Sequence, residues 1–110
     1  MLPQKVMIIV GTPESHVEPI LEAIAAAGGG TIGEYTHCSF MNPGTGSFMP
    51  GDSANPHTGG KSKLNRVPEI RIETFCERSK AKQVVAAIRA AHPYEEAVIY
   101  IVPLLDENTL

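Results

Sequence analysis

Residues 69–104, "EIRIETFCERSKAKQVVAAIRAAHPYEEAVIYIVPL", read as strand, helix, strand in one run. In 69–76 the residues alternate: Ile70 and Ile72 share one face, while Arg71, Glu73 and Phe75 share the other. Ser79 is a predicted cap for a helix whose Ala81, Val84, Val85 and Ile88 make a small apolar face. His92 is expected in the last turn of that helix, where a cation suits the helix dipole, and Pro93 stops it. "AVIYIVPL" (97–104) is then a final strand.

The N-terminal part repeats this order. "KVMIIV" (5–10) is short, apolar and β-branched, as a buried strand is. Val17, Ile20, Leu21 and Ile24 follow helical spacing, Ser15 and Glu18 have capping-box spacing, and Gly28–Gly30 end the helix. Pro19 is tolerable because it falls near the helix start. Residues 33–41, "GEYTHCSFM", alternate as a strand does. Residues 42–66 hold five Gly and three Pro and read as one long loop, with "GSFMPG" as a possible short strand. The order β-α-β-loop-β-α-β predicts an α+β, ferredoxin-like βαββαβ sandwich with both helices on one sheet face. The strands carry apolar side chains on both faces, so the helix-free face needs cover and oligomerisation is expected.

The chain has 110 residues and 43% apolar content, which fits one domain over 1–110 with an aliphatic core; there is no Trp. The net charge of −3 gives no reason to expect nucleic acid or an anionic membrane as partner. Eight of the nine Lys and Arg fall between Lys61 and Arg89. Lys61, Lys63 and Arg66 in the loop are candidates for binding an anionic ligand. The start "MLPQKVMIIVGTPES" has too short an apolar run for a signal peptide, and no stretch reaches the ~20 apolar residues of a membrane span. Cys38 and Cys76 make no disulfide framework, and a reducing cytoplasm is expected.

"NPHTGGKS" (55–62) has Asn55 where a phosphate loop requires Gly, and no helix can follow it into "NRVPEI". The segment then reads as a flexible hairpin loop, and an intermediate reading keeps a modest anion nest of glycine amides with Lys61 and Lys63. His16, His37, His57 and His92 show no close metal-finger spacing. A composite site from several strands or subunits can be built from His37, His92, Glu95 and Glu96, and histidine with carboxylate suits zinc, copper or another divalent ion. Glu95 and Glu96 diverge if they lie on a strand, so they form no hydrolase carboxylate pair. Cys38 is expected mid-strand, where a small buried hydrophobe is the usual role, and no nucleophile elbow, zincin or dinucleotide motif is present.

Four segments, "GGGTIGEYTHCSF", "GSFMPGDSANPHTGG", "VPEIRIET" and "AAHPYEEAVIYIVPL", occur together in this order. In this the chain, from about Lys5 to Leu104, resembles the YqfO-like domain of the NGG-interacting-factor-three (NIF-three-like) family, in a stand-alone form. The resemblance implies a PII/CutA-like fold and a trimer, with residues 42–66 in the place of the functional loop of PII proteins. It implies a small binding or regulatory module for a divalent metal or small ligand at subunit clefts. The alternative is a protein-interaction module using loop 42–66, and a hydrolase-like enzyme comes third. The family's dimetal ligands lie in flanking halves with no counterpart here, so that activity is not carried over. Val98-Ile99 also replace a Tyr-Asp pair usual in the family, which removes an acidic position from the last strand.

Overall fold

The computed structural model describes residues 4–110, so the first three residues of the expected domain lie outside it. The elements are β1 (Lys5–Thr12), α1 (Val17–Ala26), β2 (Phe40–Phe48), β3 (Asn65–Glu77), α2 (Ala81–Ala91) and β4 (Ile99–Leu104). The four strands form one antiparallel sheet in the order β2-β3-β1-β4. Each helix connects two parallel strands that have a third strand between them. This is the split βαβ arrangement of the ferredoxin-like sandwich, as expected.

Alternation sets the two faces. Val6, Ile8 and Val10 of β1 and Ile72 and Cys76 of β3 point to the helices. There they meet Val17, Ile20 and Ile24 of α1 and Val84 and Ile88 of α2. Leu21, Val85 and Ile99 close the edges of this core. On the helix-free face, register lines up Phe40, Glu73, Ile9 and Tyr100 across all four strands. Ile9 is buried in the middle of that row, whereas Phe40 and Tyr100 at its two ends are exposed.

Both helices begin without the caps expected of them. A 3₁₀ turn precedes each one, at Glu14–His16 and Arg78–Lys80, and no side chain caps either helix start. The Ser15 hydroxyl bonds the His16 ring instead, at 2.9 Å. Pro19 is the third residue of α1, where its missing N–H has no intrahelical partner to lose. Gly28, with φ of 97°, turns the chain out of α1 as expected.

The second strand lies later than the alternation of 33–41 indicates. Gly33 and His37 have φ of 55° and 59°, in the left-handed region that a strand cannot contain. Ile32 and Tyr35 exchange two backbone hydrogen bonds of 2.9 Å across a tight turn. Residues 40–48 form β2 despite their Gly and Pro content, because β2 is an edge strand and an edge tolerates Pro43. The loop between β2 and β3 therefore shrinks from 42–66 to 49–64.

β3 also starts earlier than expected. Pairing with β1 covers only Ile70–Glu77, so Asn65–Glu69 and Gly44–Phe48 project past β1 as a two-stranded arm. The molecule is accordingly elongated, 48 × 27 × 23 Å. Asn65 ties the arm's loop down. Its side-chain amide donates to Gly60 O and Lys63 O, and its oxygen accepts from Gly60 N, all at 2.8–3.0 Å. No helix of the described residues is long and apolar enough to cross a membrane.

Candidate functional site

Where the arm leaves the sheet, three chain segments enclose a cleft of about 420 Å³. The end of β2 with Gly46, Phe48 and Met49 forms one wall. The loop contributes Pro50, Ala54, Pro56, His57 and Thr58, and Tyr94, Glu95, Glu96 and Val98 close the other side. The floor is sheet, with Gly11 and Glu69.

The segment after α2 is held rigidly. His92 is not in the last helical turn but caps it in extended conformation, with its N–H on Ile88 O. Its side chain is buried. Nε2 lies 2.7 Å from the Gly11 carbonyl, which can only accept, so Nε2 carries the proton. Nδ1 then accepts the Tyr94 N–H at 3.1 Å. Both nitrogens are engaged and the ring is neutral. Burial pushes its pKa below the ordinary histidine value, against the opposing pulls of the Gly11 carbonyl and the Glu69 charge. The expected interaction of a cationic His92 with the helix dipole is thus replaced by a neutral strap from α2 to β1. Arg89 fastens the same segment further on, donating to Ala97 O at 3.0 Å.

Tyr94 places its hydroxyl 2.7 Å from Glu69 Oε2 and donates to it. Burial and the adjacent carboxylate push the phenol well above its ordinary pKa, so it stays a protonated donor. Glu69 lies on the helix-free face among strand neighbours that lack side chains. Gly44 is its cross-strand partner. A Cβ on Gly11 would fall 3.1 Å from Glu69 Oε1, and one on Gly46 only 2.5 Å from it. The glycines are what let the carboxylate lie flat on the sheet. His57 closes the outer rim, with its ring 5.8 Å from that of His16 and 6.3 Å from that of Tyr94.

Of the residues expected from sequence to bind, Glu95 and Glu96 line this cleft. They lie before β4 rather than on it. Glu95 Oε2 accepts the Asn55 N–H at 3.0 Å and latches the loop. His92 stands behind the cleft as a strap. His37 is elsewhere, exposed, 3.3 Å from Glu22 of α1. Among the described residues no group of three His, Cys, Asp or Glu is arranged to hold a metal ion. Lys61, Lys63 and Arg66 are exposed and do not line the cleft, and Lys61 Nζ bonds Asp52 O at 3.2 Å. Sequence reasoning missed Glu69, Tyr94 and His57. The signal for Glu69 was present in part, as a carboxylate on an alternating strand. Its glycine neighbours come from two other strands, so their meeting is visible only once the register is known.

Comparison with models of known protein families gives no match. The chain is 39% identical over 101 residues to a GTP cyclohydrolase 1 type 2 homolog of Halalkalibacterium halodurans, covering 92% of this chain and 27% of that protein. It is 41% identical over 97 residues to the Bacillus subtilis protein of the same name, covering 88% and 26%. The chain thus spans about a quarter of the length of these curated relatives. A Bacillus cereus protein related to NIF3 superposes with TM-score 0.83 at 36% identity, over 96% of this chain and 27% of that one. CutA1 of Shewanella sp. SIB1 superposes with TM-score 0.69 at 12% identity, over 96% and 86%. The periplasmic divalent cation tolerance protein CutA of Archaeoglobus fulgidus gives 0.64 at 17%, over 93% and 85%. The CutA likeness is one of fold. Sequence identity and superposition together show that nearly the whole of this chain resembles about a quarter of the NIF3-related proteins, in a CutA-like fold.

Proposed function

We propose that this chain is a binding and regulatory module that takes a small ligand in the cleft beside Tyr94, Glu95 and Glu96. One observation carries the reading. The arm of β2 and β3, the loop and the 92–98 segment meet around a cleft of about 420 Å³ with apolar walls and a few fixed polar groups. That is the form small-molecule sites take. In this reading the chain assembles with copies of itself, as a trimer, covering Phe40 and Tyr100 on the helix-free face. Free Cys38 and Cys76 suit a reducing cytoplasm. The chemistry in the relatives' name belongs to proteins more than three times as long, and we assign this segment binding rather than turnover. Ligand-observed NMR with a chemically mixed fragment library tests the reading. Binders are expected that lose contact in Ala54→Trp, which plugs the cleft from the loop side. A library without such binders refutes it.

A divalent metal such as zinc or copper is the finer form of the proposal, supported by the name of the CutA neighbours. His37, Glu95 and Glu96 would then reach a common ion, and Lys61, Lys63 and Arg66 a common ligand, only through neighbouring copies. Calorimetric titration with Zn²⁺ and Cu²⁺ separates the cases. Equal heats for wild type, His37→Ala and Glu96→Gln end the metal form.

A further inference from the structure

The cleft has a marked charge bias. Three carboxylates line it, from Glu69, Glu95 and Glu96, and no Lys or Arg does. Their states differ. Glu95 is engaged by the Asn55 amide. Glu96 is exposed at the rim. Glu69 lies on the floor, half-buried, with Oε2 taken by the Tyr94 hydroxyl. Its Oε1 has no hydrogen-bond partner among the described residues and lies over Gly11 and Gly46. The carboxylate is fixed on one oxygen and open on the other.

The walls above it are Phe48, Met49, Pro50, Pro56 and Val98. Met49 and Val98 are exposed large apolar side chains, which a ligand body would cover. An anion entering this cleft would meet like charge at close range with no Lys or Arg to pair with it. A neutral ligand with no donor would leave Oε1 without a partner in a space the ligand had dried, and a neutral donor would leave the carboxylate's charge unpaired there. A cation relieves both problems, and a fixed acceptor loses little freedom on binding it.

We infer that the cleft takes a small organic cation, an ammonium group on an apolar body, with the ammonium on Glu69 Oε1 and the body against Phe48, Met49 and Val98. The inference rests on the binding role proposed for this cleft and names its ligand class. Glu69 is the recognition residue. Tyr94 and the glycines Gly11 and Gly46 position it.

Three probes of similar shape and different charge test this by amide chemical-shift titration at neutral pH: phenethylamine, 2-phenylethanol and 3-phenylpropionate. Phenethylamine is expected to shift the Gly46, His57 and Tyr94 amides saturably. The alcohol should bind about tenfold more weakly or worse, the usual scale for losing one charge-assisted hydrogen bond, and the acid should leave the cleft unmoved. Glu69→Gln keeps an acceptor for Tyr94 and should cost the amine about tenfold or more. Gly46→Ala, which drives the carboxylate from its seat without touching its charge, should also weaken amine binding. Both variants must keep the wild-type spectrum away from the cleft. Alcohol binding equal to amine, or unchanged amine binding in Glu69→Gln, overturns the inference. Saturable binding of the acid or the alcohol alone overturns the cation class while leaving the binding role standing. A cleft unmoved by all three probes also overturns the inference, and the fragment screen with Ala54→Trp then decides the binding role separately.

Discussion

His92→Ala should be among the more damaging single changes outside the apolar core. The ring satisfies two backbone groups at once, the Gly11 carbonyl at 2.7 Å and the Tyr94 N–H at 3.1 Å. With His92 8% exposed, water replaces neither contact freely. Leaving one such group unpaired costs about 1–3 kcal/mol, so losing both, with some packing, comes to about 2–4 kcal/mol. The strap also sets Tyr94, so the hydroxyl bond to Glu69 should loosen with it. Urea unfolding followed by far-UV circular dichroism measures the loss as a lower midpoint at unchanged slope.

The same residue carries a pH prediction. Its folded-state pKa is lowered, so the unfolded chain binds the extra proton first. The stabilisation is fully present above the unfolded value of about 6.5 and is lost as pH falls below it toward the folded value. His92→Gln can keep a donor to the Gly11 carbonyl but does not titrate. The wild-type midpoint should therefore fall between pH 7.5 and 5.5, and the His92→Gln midpoint should fall less. A wild-type His92→Ala loss under about 0.5 kcal/mol, or equal pH slopes in wild type and His92→Gln, would refute the strap.

Other expectations follow from the same contacts. Asn65→Ala removes three side-chain bonds to the loop, so Gly60 amide exchange should accelerate and stability should fall by about 1–3 kcal/mol; unchanged exchange would mean the loop is held otherwise. Glu95→Ala frees the Asn55 amide, and because the pair is exposed, global stability should move by less than about 0.5 kcal/mol while Asn55 exchange rises. Gly30→Ala should cost more than the ~1 kcal/mol of an unfavourable backbone angle: φ is 71° and the new Cβ would stand 2.7 Å from the Cys38 carbonyl oxygen, with a thermal melt as the readout. Ile20→Ala empties a fully buried core position and should cost about 2–5 kcal/mol by urea unfolding.

The helices, β1 and the final strand were legible because their side-chain periods are local. Val17, Ile20 and Ile24 recur at helical spacing, and Val6, Ile8 and Val10 at strand spacing, whatever the rest of the chain does. The strand expected at 33–41 failed for a reason that period alone does not reveal. Alternation at Tyr35, Thr36 and His37 counts only if the backbone is extended, and His37 takes a left-handed angle. The converse error hid β2. Its glycines and Pro43 read as loop, yet pairing with β3 along nine residues supplies the order that composition lacks.

The candidate site divides the same way. Sequence alone determined the two helices, the βαβ order, the mainly aliphatic core and the clustering of Glu95 and Glu96 after Pro93, since each follows from neighbours along the chain. Only the tertiary structure decided that His92 is a neutral strap, that Glu69 is bedded on Gly11 and Gly46, and that His57 rather than His37 reaches the cleft. Gly11, Gly46, Glu69 and Tyr94 come from β1, β2, β3 and the turn before β4. What brings them together is register between strands distant in sequence, and register is set by which faces the whole sheet buries.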